Sequence, residues 1–132
     1  MHITQVLRRA VQIAGDREAT AMEGRRHTYR QLVDRVARLA GALRALGIAN
    51  GDRVAILALN SDRYLEYYFA VWWLGAVVVP LNSRWAMPEH EFALADSGAK
   101  ALFVDAAFSD TLAPLSATLP ARVTLVFMGD AG

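Results

Sequence analysis

The run from Val54 to Trp85 constrains the fold more than any other part of the chain. Val54 to Leu59 is a short apolar stretch entered from the turn signal Asn50-Gly51-Asp52. A stretch of that kind suits a strand covered on both faces in a parallel sheet. Asn60, Ser61 and Asp62 are all able to cap a helix start, and the pattern predicts a helix from about Arg63 to Leu74, closed by Gly75. Val77, Val78 and Val79 are β-branched and bounded by Pro80, which predicts a second strand. Two parallel strands joined through a helix should cross over right-handed.

The predicted helix is apolar over most of its circumference. At about 100° per residue, Arg63, Glu66, Ala70 and Trp73 share one stripe, and Tyr64, Leu65, Tyr67, Tyr68, Phe69, Val71 and Trp72 fill the rest. The aromatic cluster reads as packed core, each large side chain contributing roughly 1.5–3 kcal/mol on burial. On this reading Trp72 is buried. Trp73, on the polar stripe, is more exposed and packs against a neighbouring helix or a part of the protein outside the chain. Tyr64 to Leu81 is 18 residues with the single charge Glu66, the lower limit of a membrane span. Gly75 and the Val-Val-Val-Pro run break the helical pattern, so a span is not expected. Nor is a signal peptide, because Arg8 and Arg9 interrupt the first apolar segment instead of preceding it.

The chain has 132 residues, of which 55% are hydrophobic and 20% charged. That is enough for one globular segment with a core. A net charge of +1 gives no case for nucleic acid. The absence of cysteine excludes disulfides, thiolate metal sites and a cysteine nucleophile.

In chain order, Ile3, Val6, Leu7, Ala10, Val11 and Ala14 have helical spacing, with Arg8, Arg9 and Gln12 on the other side. That opposite face reads as solvated, or as an electrostatic contact with anionic lipid or an anionic substrate head. Ala19 to Met22 and Arg26 to Thr28 flank Glu23-Gly24-Arg25 as a small hairpin. Thr28 and Gln31 form a capping box for a helix whose apolar face is Leu32, Val33, Val36, Leu39, Ala40, Leu43 and Leu46. Gly47 ends it, and Ile48 can fold back onto Leu43. After the loop Asn82-Ser83-Arg84-Trp85, Pro88 suits the first helical position, with Glu89 and Glu91 in the first turn. Phe92, Leu94 and Ala95 offer apolar surface, and Ser97-Gly98 closes that helix. Ala101 to Val104 is a strand. Phe108, Leu112, Leu115 and Leu119 have helical spacing kinked or split at Pro114, and Val123 to Phe127 is a last strand. Strands alternating with helices predict a layered α/β segment with a mostly parallel sheet.

Chemistry-bearing motifs are mostly missing. There is no G-x-S-x-G, no G-x-G-x-x-G and no G-x-x-x-x-G-K-[ST]. Ser97-Gly98-Ala99-Lys100 carries one glycine and one lysine, and one glycine makes no phosphate nest. Lys100 reads as a solvated strand entry. His2, His27 and His90 lack ligand spacing, and His90 between Glu89 and Glu91 reads as a polar helix start, not a metal site. Asp105 follows a parallel strand, at the end where α/β sheets bind ligands, and reads first as the cap of the next helix.

Taken together, these stretches resemble the adenylate-forming ligases: acyl-CoA synthetases, firefly-type luciferases and peptide-synthetase adenylation domains. The resemblance rests on Thr28-Tyr29 with Leu32, Leu43 to Gly47, and Gly51-Asp52-Arg53-Val54-Ala55. It continues through Leu74-Gly75-Ala76, Pro80-Leu81-Asn82 and Asp96-Ser97-Gly98-Ala99-Lys100. Each is weak alone, but the ordered set spans nearly the whole chain. Pro80-Leu81-Asn82-Ser83-Arg84-Trp85 looks like the acyl-CoA ligases and lacks the Asp-Pro pair of peptide-synthetase domains. Met87 stands where a Ser or Thr often caps the next helix.

The resemblance implies ATP, Mg²⁺ and coenzyme A as cofactors. It also implies a fatty acid as the first choice of substrate, with an aryl or other small carboxylic acid as the alternative. The family's phosphate loop, nucleotide contacts and C-terminal lysine lie later than this segment, so residues 1–132 read as the amino-terminal part of a larger domain. No catalytic, cofactor-binding or metal residue is assigned here, and none of the cofactors is expected to bind this segment. The remaining partner is the rest of the same domain, and the expected location is cytoplasmic, with at most a peripheral membrane contact. A non-catalytic α/β interaction module is the competing class. As a fragment, the chain should expose a larger apolar patch than monomers usually tolerate and should self-associate.

Overall fold

The computed structural model describes residues 4–128. It contains α1 (Gln5–Ala14), β1 (Glu18–Met22), β2 (Arg25–Thr28), α2 (Tyr29–Ala45), β3 (Arg53–Leu57) and α3 (Asp62–Trp73). These are followed by β4 (Val77–Pro80), α4 (Met87–Ser97), β5 (Ala101–Val104), a 3-10 turn at Ala106–Phe108, α5 (Ser109–Thr118) and β6 (Thr124–Phe127). The chain groups into two compact units interleaved in sequence. One comprises Met1–Ala49 and Asn60–Gly75, the other Asn50–Leu59 and Ala76–Gly132.

The first unit is helical with one hairpin. Glu23 at φ 50° and Gly24 at φ 81° form a two-residue turn with both central residues left-handed, the geometry that matches strand twist. Thr28 caps α2 as expected: its hydroxyl accepts from the Gln31 N–H at 3.2 Å, and the Gln31 amide accepts from the Thr28 N–H at 2.8 Å. At the other end, Ile48 N–H reaches the Leu43 carbonyl and Gly47 N–H reaches that of Arg44, the Schellman pairing. Leu32, Val36, Ala40 and Leu43 are buried, but Leu46 is half exposed, because the helix has already closed at that point. The expected Ile3 contact lies outside the described residues. Val6, expected on the buried face of α1, is 58% exposed, and Leu7 is the residue buried there.

Three face assignments on α3 are corrected. Glu66 and Ala70, placed on the polar stripe, are both buried. Glu66 is taken from water by the Arg35 guanidinium of α2, which donates to both carboxylate oxygens. Trp72 is not buried more deeply than Trp73; both are intermediate. The Trp72 ring stacks on Tyr68 with centroids 5.1 Å apart and meets the edge of Phe69, so it lies along its own helix. Trp73 does meet a neighbouring helix: the Arg8 guanidinium of α1 lies 5.4 Å from its ring centroid.

The second unit is a four-stranded sheet in the order β4-β3-β5-β6, parallel throughout. Every residue of Val54–Leu57 and Ala101–Val104 is buried. That explains why β3 and β5 read as unbroken apolar runs. Ala55, Leu57, Leu102 and Val104 project to one face, where Leu81, Leu94, Ala99 and Leu115 complete the core. The expected apolar surface of α4 is corrected. Phe92 is 70% exposed and Ala95 is exposed, while His90 and Leu94, one turn apart, form the buried edge. The cap of α4 is Ala86, not Met87, and Pro88 stands second in the helix; Glu89 supplies the cap contact by accepting the Ala86 N–H at 3.0 Å. Helix α5 runs on through Pro114, giving up the one backbone donor that proline lacks. Among the described residues no helix is long and apolar enough to cross a membrane.

Candidate functional site

In this sheet the chain leaves β3 for β4 on one side and returns to β5 on the other. The carboxyl ends of β3 and β5 therefore flank the topological switch point, where open α/β sheets place ligands. Asp105 occupies that position. Its carboxylate accepts the N–H of Ala107, capping the 3-10 turn, and the N–H of Leu59 at 2.9 Å. The Asp105 N–H in turn donates to the Leu57 carbonyl at 3.2 Å. The capping role expected for Asp105 is observed, and with it a tie between the ends of the two central strands. This is a positioning arrangement: it fixes where the chain departs after Leu59, and its negative charge disfavours phosphate.

Lys100 sits at the opposite, amino end of β5. Its ammonium lies 3.1 Å from the Asp52 carboxylate, and its backbone N–H donates to the Arg53 carbonyl. The strand-entry reading holds, with an ion pair added. Lys100 and Asp105 are thus kept at opposite ends of one strand. Among the described residues no group of three His, Cys, Asp or Glu side chains could hold a metal ion.

This unit carries a groove of about 610 Å³ lined by Val79, Trp85, Pro88, Glu89, Phe92 and Asp96, among others. Beside it lies His90, expected to be a polar helix start but only 2% exposed. Its spacing to Leu94 was the available signal, since the two share one helix face. The His90 ring is 6.0 Å from that of Trp85, and its Nδ1 has no hydrogen-bond partner. Burial holds the imidazole below its usual range, opposed by Glu89 and by the Trp85 backbone.

The sign of the pH effect follows. Above about pH 6.5 the ring is neutral both folded and unfolded. Below that, the unfolded chain takes up a proton that the folded chain resists, so stability falls as pH falls. His90→Leu should remove this slope and raise stability by about 1 kcal/mol, because an unpaired buried polar atom is costly. Urea midpoints above and below the imidazole range decide the matter: a slope unchanged in His90→Leu would place the titrating group elsewhere.

Comparison with known proteins supplies what the geometry does not. The profile of the family described as AMP-binding enzyme matches residues 7–131. A feruloyl-CoA synthase of Amycolatopsis is 51% identical over 96 residues, which cover 73% of this chain and 20% of that protein. Among solved structures, a fatty acyl CoA synthetase of Mycobacterium tuberculosis superposes with a TM-score of 0.88 at 36% identity, covering 97% of this chain and 26% of that one. The anthranilate CoA ligase AuaEII, bound to anthranoyl-AMP, gives 0.91 at 26% identity, covering 100% of this chain and 26% of that one. The chain spans about a fifth of the length of the curated relative. On a match that runs almost from end to end, and on a parallel sheet in the arrangement of the amino-terminal domain of adenylate-forming ligases, the chain belongs to the AMP-binding enzymes.

Proposed function

We propose that this chain is the amino-terminal part of an ATP-dependent acid–CoA ligase and contributes scaffold to it, not chemistry. In the proposed reaction a substrate carboxylate attacks the α-phosphate of ATP, releasing pyrophosphate. The thiol of coenzyme A then attacks the acyl carbon and AMP leaves. The observation carrying this reading is the family match over residues 7–131. Two features support the division of labour. A triphosphate needs several donors converging with a cation, whereas Lys100 is engaged by Asp52 and the switch point holds the acidic Asp105. Among the described residues these groups do not fit a triphosphate–Mg²⁺ group, and no step is assigned to them.

A fatty acid is the proposed substrate, in keeping with the likeness to the fatty acyl CoA synthetase. A hydroxycinnamic or other aryl acid is the second reading, favoured by the 51% identity to feruloyl-CoA synthase. Pyrophosphate release with ATP, Mg²⁺ and a panel of both acid classes tests all of this. Background is expected from residues 1–132 and turnover from the longer parent. Acid-dependent release by the 132-residue chain would overturn the scaffold reading, and the preferred acid in the longer protein chooses between substrates.

A further inference from the structure

We propose that His90 is an acid-released latch on the loop between β4 and α4: the neutral ring holds the loop to the helix at Trp85, and protonation of the ring releases it. The latch uses no residue of a catalytic site and stands apart from the ligase reading. His90 is only 2% exposed, and a group buried within this segment stays buried whatever packs on it from outside. The loop beside it is the opposite: Asn82, Ser83, Arg84, Trp85 and Ala86 are all exposed. Its bonds are local. The Trp85 N–H donates to the Asn82 carbonyl at 3.1 Å, the Arg84 N–H to Asn82 Oδ1 at 2.9 Å, and the Ala86 N–H to Glu89 Oε2 at 3.0 Å. The core holds the near end at Leu81, which is buried and whose N–H reaches the Ile56 carbonyl. The far end is held by His90, whose ring lies 6.0 Å from that of Trp85 and hydrogen-bonds to the Trp85 backbone. A segment with exposed side chains and few long-range bonds opens locally, without unfolding the sheet behind it.

The chemistry of the ring makes this contact depend on protons. Nδ1 has no partner, so the bond to Trp85 is made by Nε2, where the neutral ring carries its proton. A second proton goes to Nδ1 and finds no acceptor there. The cation also stands near the start of α4, the positive end of the helix dipole. Nearby charges do little to hold it. Glu89 of α4 favours the cation, but its carboxylate already accepts the Ala86 N–H. Glu91 accepts from Thr118 of α5, and Arg122 donates to the carbonyls of Leu94 and Ala95. Neither of them acts on the ring, nor does Arg84 of the loop. The charged ring therefore has to reach water, and the exposed loop is the way out. Once the ring leaves, Trp85 loses its anchor at the groove that it lines with Val79 and Phe92. In the open form the imidazole regains its ordinary value of about 6.5. Opening therefore grows as pH falls below that value, by about tenfold per pH unit until the closed ring itself takes up the proton.

The test is fluorine NMR of the 132-residue chain labelled with 5-fluorotryptophan and titrated across the imidazole range, from about pH 8 to about pH 5. Trp85→Phe identifies the Trp85 signal among those of Trp72, Trp73 and Trp85. The Trp85 signal is expected to move below about pH 6.5 while the other two stay in place. Amide hydrogen exchange gives the size of the effect. The His90 N–H donates to the carbonyl of Ala86, the last residue of the loop, at 3.3 Å. Its protection should fall by about tenfold per pH unit over that window, while the amides of β3 and β5 keep theirs. His90→Leu fills the site and cannot titrate, so both signatures should vanish. His90→Gln, polar but without a titrating group, should match it. A Trp85 signal that does not move on acidification would overturn the proposal, as would an equal movement in His90→Leu and His90→Gln. So would all three tryptophan signals moving together, which would mark unfolding of the whole segment instead of a local release.

Discussion

Arg25→Met is expected to destabilise the chain by about 3 kcal/mol, the lower end of what removing one partner of a buried ion pair costs. Arg25 grips the Asp62 carboxylate with two donors, Nε at 3.1 Å and Nη2 at 2.8 Å, and the Asp62 side chain is only 3% exposed. Without the guanidinium, a carboxylate at the start of α3 remains out of water with only the weaker support of Arg63, through its backbone N–H and its charge. The partial exposure of Arg25 keeps the figure at the lower end. Acid adds a second signature. The Arg25 hydrogen bonds hold the Asp62 carboxyl below its ordinary range. The pair therefore stabilises the fold above the unfolded carboxyl value of about 4, and that contribution is lost as pH falls through the lower folded value. In Arg25→Met this acid loss should shrink, and Arg25→Met with Asp62→Asn should recover part of the stability. Urea melts of the three variants at neutral and acid pH measure both effects. A single variant within about 0.5 kcal/mol of the parent would show that the pair is an ordinary surface contact.

Leu102→Ala should cost about 3–5 kcal/mol. Leu102 is fully buried in β5, a strand hydrogen-bonded on both sides, opposite Ala55 of β3 and Leu125 of β6. Leucine-to-alanine changes span roughly 2–5 kcal/mol, and the cost rises where the surroundings cannot collapse into the cavity. A backbone pinned from both sides cannot move in. Phe92→Ala is the matched comparison, because the larger side chain is 70% exposed and should change stability by less than about 0.5 kcal/mol. Comparable losses in the two variants would contradict the burial pattern of this unit.

Features decided within a few residues were legible in the sequence. The hairpin turn at Glu23-Gly24, the Thr28–Gln31 box, the Gly47 and Gly98 helix ends, and the Ser61 cap all use partners at most five positions away. The buried strands were legible because a strand covered on both faces has no polar side to hide. Faces of helices were the weak point. Glu66 reads as solvent-facing until Arg35, 31 positions earlier, is brought to it. His90 reads as polar because Glu89 and Glu91 flank it, although its spacing to the buried Leu94 puts the two on one helix face. Helical angle alone puts Trp72 on the buried side, because it ignores an aromatic ring lying down along its own helix. At the switch point, the cap made by Asp105 was local and visible. Its bond to Leu59, 46 positions away, depends on β3 and β5 becoming neighbours, which only the strand order decides.

The interleaving of the two units bears on how the polypeptide emerges from the ribosome. The first unit lacks α3 until Gly75 has been synthesised, and Arg25 and Arg35 wait for Asp62 and Glu66 until then. By that time Val54–Leu57 is already out, while both of its sheet neighbours, β4 and β5, come later in the chain. For that interval a four-residue apolar strand has neither edge paired. Its neighbours in sequence, Asp52 and Arg53 before it and Asp62 and Arg63 after it, are the charges that flank such a segment against association between nascent chains. The order of strands in space thus sets a window of exposure in time, which closes when Ala101–Val104 arrives.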